Sequence, residues 1–193
     1  MHILLTVAPL LGMIAMVMSF WHLLPLMISI GVHDGAAGDF AISMTLHCAT
    51  GYLLWITTRR HRRDLKPRDG IAVVVFAWTG GAAFATVPLL LSIPGLSFTD
   101  AYFEAMAGLT ATGSTVLSGL DHLPPSVNIW RAELQWLGGL GVLVLVVAIL
   151  PMLGVGGRQI FRAEIPGPMK DSRLTPRIKE TAKALWTVYT ALT

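Results

Sequence analysis

Residues 97–121 read S-F-T-D-A-Y-F-E-A-M-A-G-L-T-A-T-G-S-T-V-L-S-G-L-D, and they decide the fold. Ser97 followed three positions later by Asp100 has the S-x-x-D spacing of a capping box, with Thr99 as a second candidate cap. The spacing predicts a short helix over residues 100–109 that stops at a run of threonine, serine and glycine. Ten residues cannot cross a bilayer, which takes about 20 apolar residues. Long apolar stretches nevertheless lie on both sides. A half-length helix and an irregular strand between two full spans is the pattern of a re-entrant pore loop. Non-helical backbone is tolerated at membrane depth only where protein buries it or water reaches it.

Working outward, the composition fits a membrane. The 193 residues are 54% hydrophobic and 13% charged, with a mean hydropathy of +0.66. Soluble domains carry roughly 25% charged residues. The net charge of +3 does not indicate nucleic acid, because the basic residues fall in two blocks that flank apolar spans. Cys48 is the single cysteine, so an intrachain disulfide is impossible. The first apolar stretch is too long for a cleaved signal peptide and lacks a basic leader.

Four spans are predicted: residues 3–30, with Pro9, Pro25 and a buried-facing His22; 40–58, ending on an interfacial Trp55; 71–93, with Gly80, Gly81 and Pro88; and 127–150. The last is rich in glycine at Gly138, Gly139 and Gly141, which permits close approach of another backbone, and Pro151 interrupts it. Residues 59–69 hold six Lys or Arg and residues 154–183 hold seven, thirteen of the chain's fourteen; Arg131 is the other. The positive-inside rule then puts the amino terminus and both basic segments in the cytoplasm, with the re-entrant segment outside. Another apolar helix is expected to begin in the final residues, near Trp186, and to have no room to cross before Thr193, which reads as part of a longer protein.

The chemistry follows from the loop. A dehydrated monovalent cation needs several oxygen ligands, and rings of backbone carbonyls can supply them. Residues 110–115, T-A-T-G-S-T, have little side-chain bulk, and Gly113 can adopt conformations closed to other residues. The helix before them would point its partially negative carboxyl end inward, toward a cation. No acidic residue lies in the loop, so selection would rest on carbonyl dipoles. Spacing alone leaves channels, aquaporin-like folds, some transporters and a buried connector without transport function all open.

The wording narrows this. F-E-A-M-A-G-L-T-A-T-G-S-T-V (residues 103–116), W-R-A-E-L-Q-W-L-G-G-L-G-V-L-V-L-V-V-A-I-L-P-M-L-G-V-G-G (130–157) and F-R-A-E-I-P-G-P-M-K-D-S-R-L-T-P-R-I-K-E-T-A-K-A-L-W (161–186) resemble the TrkH family of bacterial potassium uptake proteins. The resemblance implies an all-α membrane protein built from four span–pore helix–span repeats around a potassium filter. It further implies a homodimer in the bacterial inner membrane, regulated by a cytosolic TrkA-type nucleotide-binding protein. On that reading residues 1–69 are two leading spans and a basic loop, 70–157 the first repeat, and 158–193 a linker and the start of the second. Potassium is the transported ion, with no organic cofactor. The filter carbonyls would come from Ala111 and Thr112, with Gly113 supplying the turn and Thr110 and Ser114 flanking. The family's usual wording is T-T-T-G-A-T, so Ala111 and Ser114 are departures, mild where backbone oxygens coordinate.

Other residues receive lesser roles. Glu104 could add negative potential near the outer mouth, but is expected rather to hydrogen-bond nearby backbone, Arg131 or another nearby donor, and Gln135 to brace the loop from behind or pack on a helix. Asp121 and His122 would face the outer vestibule or cap a turn, and Arg131 and Glu133 would be interfacial. The basic segment 158–183 is either a plain cytoplasmic loop or a docking surface for the regulator. No nucleophile–base pair, phosphate loop or metal cluster is evident, and G-V-G-G at residue 154 lacks the Lys and Ser/Thr of a P-loop. His22, His47 and His122 have no second catalytic group at a useful spacing, so an enzyme is not expected. The competing reading is a non-conducting membrane scaffold or regulatory fragment that keeps only the fold.

Overall fold

The structure, a computed structural model, describes residues 2–61, 67–144 and 174–192, all helical apart from turns and the loop after the short helix. The chain orders as α1 (His2–Ser19), a 3-10 turn (Phe20–His22), α2 (Leu23–Val32), α3 (Ala37–Thr58), α4 (Pro67–Ser92), α5 (Phe98–Leu109), α6 (Pro125–Val144) and α7 (Leu174–Leu192). It divides into two compact units, Met1–Gly138 and Gly139–Thr193. The end of the predicted fourth span, part of the first basic loop and most of the second lie outside the described residues.

Three stretches among the described residues are long and apolar enough to cross a membrane: Leu4–Val32, Ala37–Thr58 and Arg68–Ser92. The described part of α6 is not a fourth, because Asn128, Arg131, Glu133 and Gln135 dilute its apolar residues. At most 28% of each spanning window is buried within the chain, and Val17, Phe20, Met27 and Leu53 are all more than 60% exposed. An apolar exterior of this extent fits a lipid solvent and not water.

The first span is one continuous course broken by its 3-10 turn. Pro25 has no N–H for the Trp21 carbonyl four residues earlier, and its ring crowds that turn, so the helix tightens just before it. α1 packs along α3, where Gly12 and Gly51 face each other. A Cβ on Gly12 would lie 2.7 Å from the Gly51 carbonyl oxygen, and one on Gly51 would lie 2.9 Å from that of Gly12. The core of the first unit gathers Phe40, Ala82, Ala85, Leu89, Ala101, Ala105, Val127, Trp130 and Leu134. Alanines on α4 and α5 let those helices approach, and the Trp130 indole N–H closes the other side by donating to the Ala85 carbonyl at 3.0 Å.

Inside the spans, both histidines face protein. His22 is fully buried against the ring of Trp130, with centroids 4.4 Å apart, and its Nδ1 donates to the Ser19 carbonyl. His47 stacks on Phe84. Both follow the rule that ionisable residues in spans turn inward.

The second unit departs from the sequence reading in one respect. α7 begins at Leu174, twelve residues before Trp186. Lys, Glu and Ala in T-P-R-I-K-E-T-A-K-A-L are good helix formers, so the helix starts well before the sequence turns apolar.

Candidate ion-filter site

The site is built on α5. Ser97 caps it as the spacing predicts: its hydroxyl oxygen accepts the Asp100 N–H at 3.1 Å and donates to the Asp100 carboxylate at 2.7 Å. α5 is held against α4 by Tyr102, whose hydroxyl donates to the Thr79 carbonyl, and by buried Ala101 and Ala105. It is twelve residues long, about 18 Å at the usual helical rise, so it reaches only partway through a bilayer.

Its carboxyl end is closed by the loop itself. The Ala111 N–H donates to the Gly108 carbonyl at 2.8 Å and the Thr112 N–H to Ala107 at 3.0 Å, the paired bonds of a Schellman ending. That ending needs a left-handed residue, and Ala111 takes the position with φ 53°. Gly113, which the sequence reading assigned the turn, has φ 68° and is a second left-handed residue two positions on. The Thr110 and Thr112 hydroxyls donate back to Met106 and Ala107, at 2.8 and 3.2 Å. The Leu109 carbonyl accepts from the Trp78 indole on α4 at 3.0 Å. All four of the last helix carbonyls, 106–109, therefore have partners.

The carbonyls that follow do not. Among the described residues, no hydrogen bond reaches the carbonyl oxygens of Thr110, Ala111, Thr112, Gly113 or Ser114, and all five residues are exposed.

Beyond the exposed carbonyls the strand is tied down again. Glu104, 5% exposed on the middle of α5, accepts from the Thr115 hydroxyl and the Val116 N–H through Oε1, each at 2.6 Å. Its Oε2 accepts from Arg131 Nε on α6 at 3.1 Å, and Arg131 Nη2 reaches the Thr115 hydroxyl oxygen at 3.2 Å. A cavity of about 220 Å³ lies behind the strand, lined by Glu104, Gly113, Asn128, Arg131 and Gln135 among others. Gln135 Nε2 sits 3.2 Å from where a Gly113 side chain would begin, so it does stand behind the loop.

α6 closes on this site through Gly138, where a Cβ would stand 2.6 Å from the carbonyl oxygens of both Gly108 and Leu109. The amino end of α6 is fixed by Asp34, whose Oδ2 accepts the Ser126 N–H at 3.0 Å. Asp121 and His122 lie in an exposed 3-10 turn (Leu120–His122) whose first carbonyl accepts from the Asn128 amide. Glu133, expected at an interface, is instead buried, and neither of its carboxylate oxygens has a partner among the described residues. The sequence pointed to Glu104, Arg131 and Gln135, but not to Trp78, Asp34 or the Thr115–Val116 anchor. No group of His, Cys, Asp and Glu suited to a metal ion occurs among the described residues.

A short capped helix followed by a loop of unpaired carbonyls, set between two longer helices, defines a multi-pass membrane protein with a re-entrant pore loop. Residues 37–193 match the TrkH family model, described as a cation transport protein, and the chain belongs to that family. It is 46% identical to the Trk system potassium uptake protein TrkH of Vibrio parahaemolyticus, over 94% of this chain and 38% of that protein. Against TrkH of Escherichia coli K12 the identity is 44% with the same coverage, and against TrkG of that strain it is 36%. The crystal structure of the potassium transporter TrkH from Vibrio parahaemolyticus superposes with a TM-score of 0.80 at 38% identity, covering 96% of this chain and 36% of that one. The chain thus spans a little over a third of the length of these relatives.

Proposed function

We propose that the chain forms the leading spans and the first span–pore helix–span repeat of a potassium uptake protein. In this reading the backbone carbonyls of Thr110, Ala111, Thr112, Gly113 and Ser114 provide one of four walls of the cation filter. The observation that carries the reading is the contrast in hydrogen bonding: the last four carbonyls of α5 are all engaged, and the next five have no partner among the described residues. Unpaired carbonyls cost free energy in an apolar setting unless a cation or water takes their lone pairs. The carboxyl end of α5 adds its partial negative charge to the same point.

The proposal extends to the surroundings. Residues 1–69 are the leading spans and basic loop, 70–157 the first repeat, and 158–193 the linker and start of the second. The amino terminus lies in the cytoplasm of a bacterial cell, with the inner membrane around the spans. The working form is a homodimer served by a cytosolic TrkA-type nucleotide-binding regulator, for which the basic segment offers positive charge.

The test is growth rescue of a potassium-uptake-deficient strain by the gene product at full length. Gly113→Asp and Gly113→Arg should each abolish rescue at low potassium while leaving membrane insertion intact. Rescue at the unmodified level by an inserted variant would favour the non-conducting scaffold.

A further inference from the structure

The potassium reading leaves unexplained why a buried carboxylate, paired with a partly exposed guanidinium, sits behind the strand. Glu104 is not at the end of α5, where a cation would feel it, but one and a half turns back, and it is 5% exposed. Every hydrogen bond it accepts comes from the outgoing strand or from Arg131: Thr115 Oγ1, the Val116 N–H, a longer contact from the Leu117 N–H at 3.4 Å, and Arg131 Nε.

The strand is therefore pinned twice to the same helix. Its start is fixed by the bonds from Ala111 and Thr112 to Gly108 and Ala107, and its exit by Glu104. Along α5 the anchoring positions 104 and 107 are about 4.5 Å apart, at ~1.5 Å per residue. The three steps from Thr112 to Thr115 would span about 10 Å fully extended. Gly113 and Ser114 therefore take a shortened path between the anchors, and the left-handed backbone at Gly113 shortens it. Moving the exit anchor along or away from α5 would change the spacing of the carbonyls between.

We infer that the Glu104–Arg131 pair, linked through Thr115, is a positioning device that sets the carbonyl spacing of residues 110–114 and so the discrimination between potassium and sodium. Neither residue touches the ion. Arg131 compensates the buried charge of Glu104 and carries the constraint to α6, which also meets the end of α5 at Gly138. A carboxylate is the suitable acceptor at this place. It can take the Thr115 hydroxyl and Val116 N–H on one oxygen and the guanidinium on the other, and bonds to a charged acceptor are shorter and stronger than neutral ones.

This inference rests on the filter reading, and one assay separates the two. Potassium, rubidium and sodium uptake are measured in cells or vesicles for the gene product at full length, unmodified and with Glu104→Gln, Thr115→Val, Arg131→Met or Arg131→Lys, each at matched membrane abundance. Glu104→Gln keeps an acceptor oxygen but drops the charge, and Thr115→Val removes the bridging hydroxyl at constant shape. Both should lower the potassium-to-sodium ratio on the order of tenfold, the equivalent of one lost hydrogen bond to a charged group. KM for potassium should rise more than the maximal rate falls. Arg131→Lys should rescue selectivity in part, and Arg131→Met should not. If Glu104→Gln does not reach the membrane, Thr115→Val decides alone. Unmodified protein without potassium-selective uptake would sink the filter reading itself. Selective uptake left unchanged in both Glu104→Gln and Thr115→Val would overturn the positioning role alone.

Discussion

Asp34 and Ser126 lie 92 positions apart, and the carboxylate of the first accepts the backbone N–H of the second at 3.0 Å. The bond caps α6 from outside the helix. Pro125 opens α6 and needs no acceptor, the Val127 and Asn128 N–H groups turn to the Pro124 carbonyl, and Ser126 is the donor left for a distant residue. Asp34 also accepts the Ser29 hydroxyl and the Ala36 N–H, so one side chain in the α2–α3 turn joins three elements.

Asp34 should therefore make stability depend on acid. Partial burial works to raise its pKa, but the hydrogen bonds from Ser29, Ser126 and Ala36 outweigh that and hold the group at about 2, below its ordinary 3.8. A depressed carboxylate stabilises the fold fully above its unfolded value, and that contribution fades as pH falls from about 4 through 2. Asp34→Asn should lose roughly 1 kcal/mol at neutral pH, the usual worth of a helix cap, and should show a flatter response to acid. Melting of the detergent-solubilised protein at pH 7, 4 and 3 would check this; parallel acid responses in variant and parent would refute it.

A second expectation concerns Ala111. Its φ of 53° places a non-glycine residue in the left-handed region at the exit of α5. Removing the Cβ relieves a penalty of roughly 1 kcal/mol. Ala111→Gly should raise the melting temperature without disturbing the bonds to Gly108 and Ala107, whereas Ala111→Val should lower it. A drop on Ala111→Gly would mean that the unfolded chain's added freedom outweighs the relief.

Trp78 yields the third. Its indole N–H is the partner of the last α5 carbonyl, that of Leu109. Trp78→Phe keeps most of the ring but strands that carbonyl, at a cost of about 1–3 kcal/mol. Because the orphaned oxygen then competes for the loop's donors, the substitution should, on the proposed filter reading, weaken potassium uptake by the gene product at full length as well as stability. Full uptake at normal abundance would show that water satisfies Leu109 instead.

These residues also mark where the sequence was legible. The cap on Ser97, the length of α5 and the inward turn of His22 follow from local spacing and the cost of burying polar groups, and each was readable in a window of a few residues. The left-handed Ala111 was not, because alanine so rarely takes that conformation; Gly113, where the freedom was expected, is left-handed as well. Trp78–Leu109 and Asp34–Ser126 are pairings across 31 and 92 positions, which no local pattern announces. The early start of α7 was hidden by its charge, since apolarity marks where a helix enters lipid and not where it begins.

Gly138 provides the sharpest steric test. The glycine-rich run on α6 was read as permitting close approach, and at Gly138 the approach is to the backbone that precedes the filter strand: a Cβ there would stand 2.6 Å from the Gly108 and Leu109 carbonyl oxygens. Backbone atoms cannot swing away as a flexible side chain can, so even Gly138→Ala must push α6 or the end of α5 aside. Overpacking of this kind costs about 1–3 kcal/mol. The displaced atoms are the anchors of the candidate filter, and Arg131 and Gln135 would move with the helix. On the proposed filter reading, Gly138→Ala in the gene product at full length should therefore reduce potassium uptake several-fold more than it reduces membrane abundance. Substitution at Gly80, which meets nothing within 4 Å, is the matched control and should leave both unchanged. Equal effects at the two positions would show that the contact between α6 and α5 does not bear on transport.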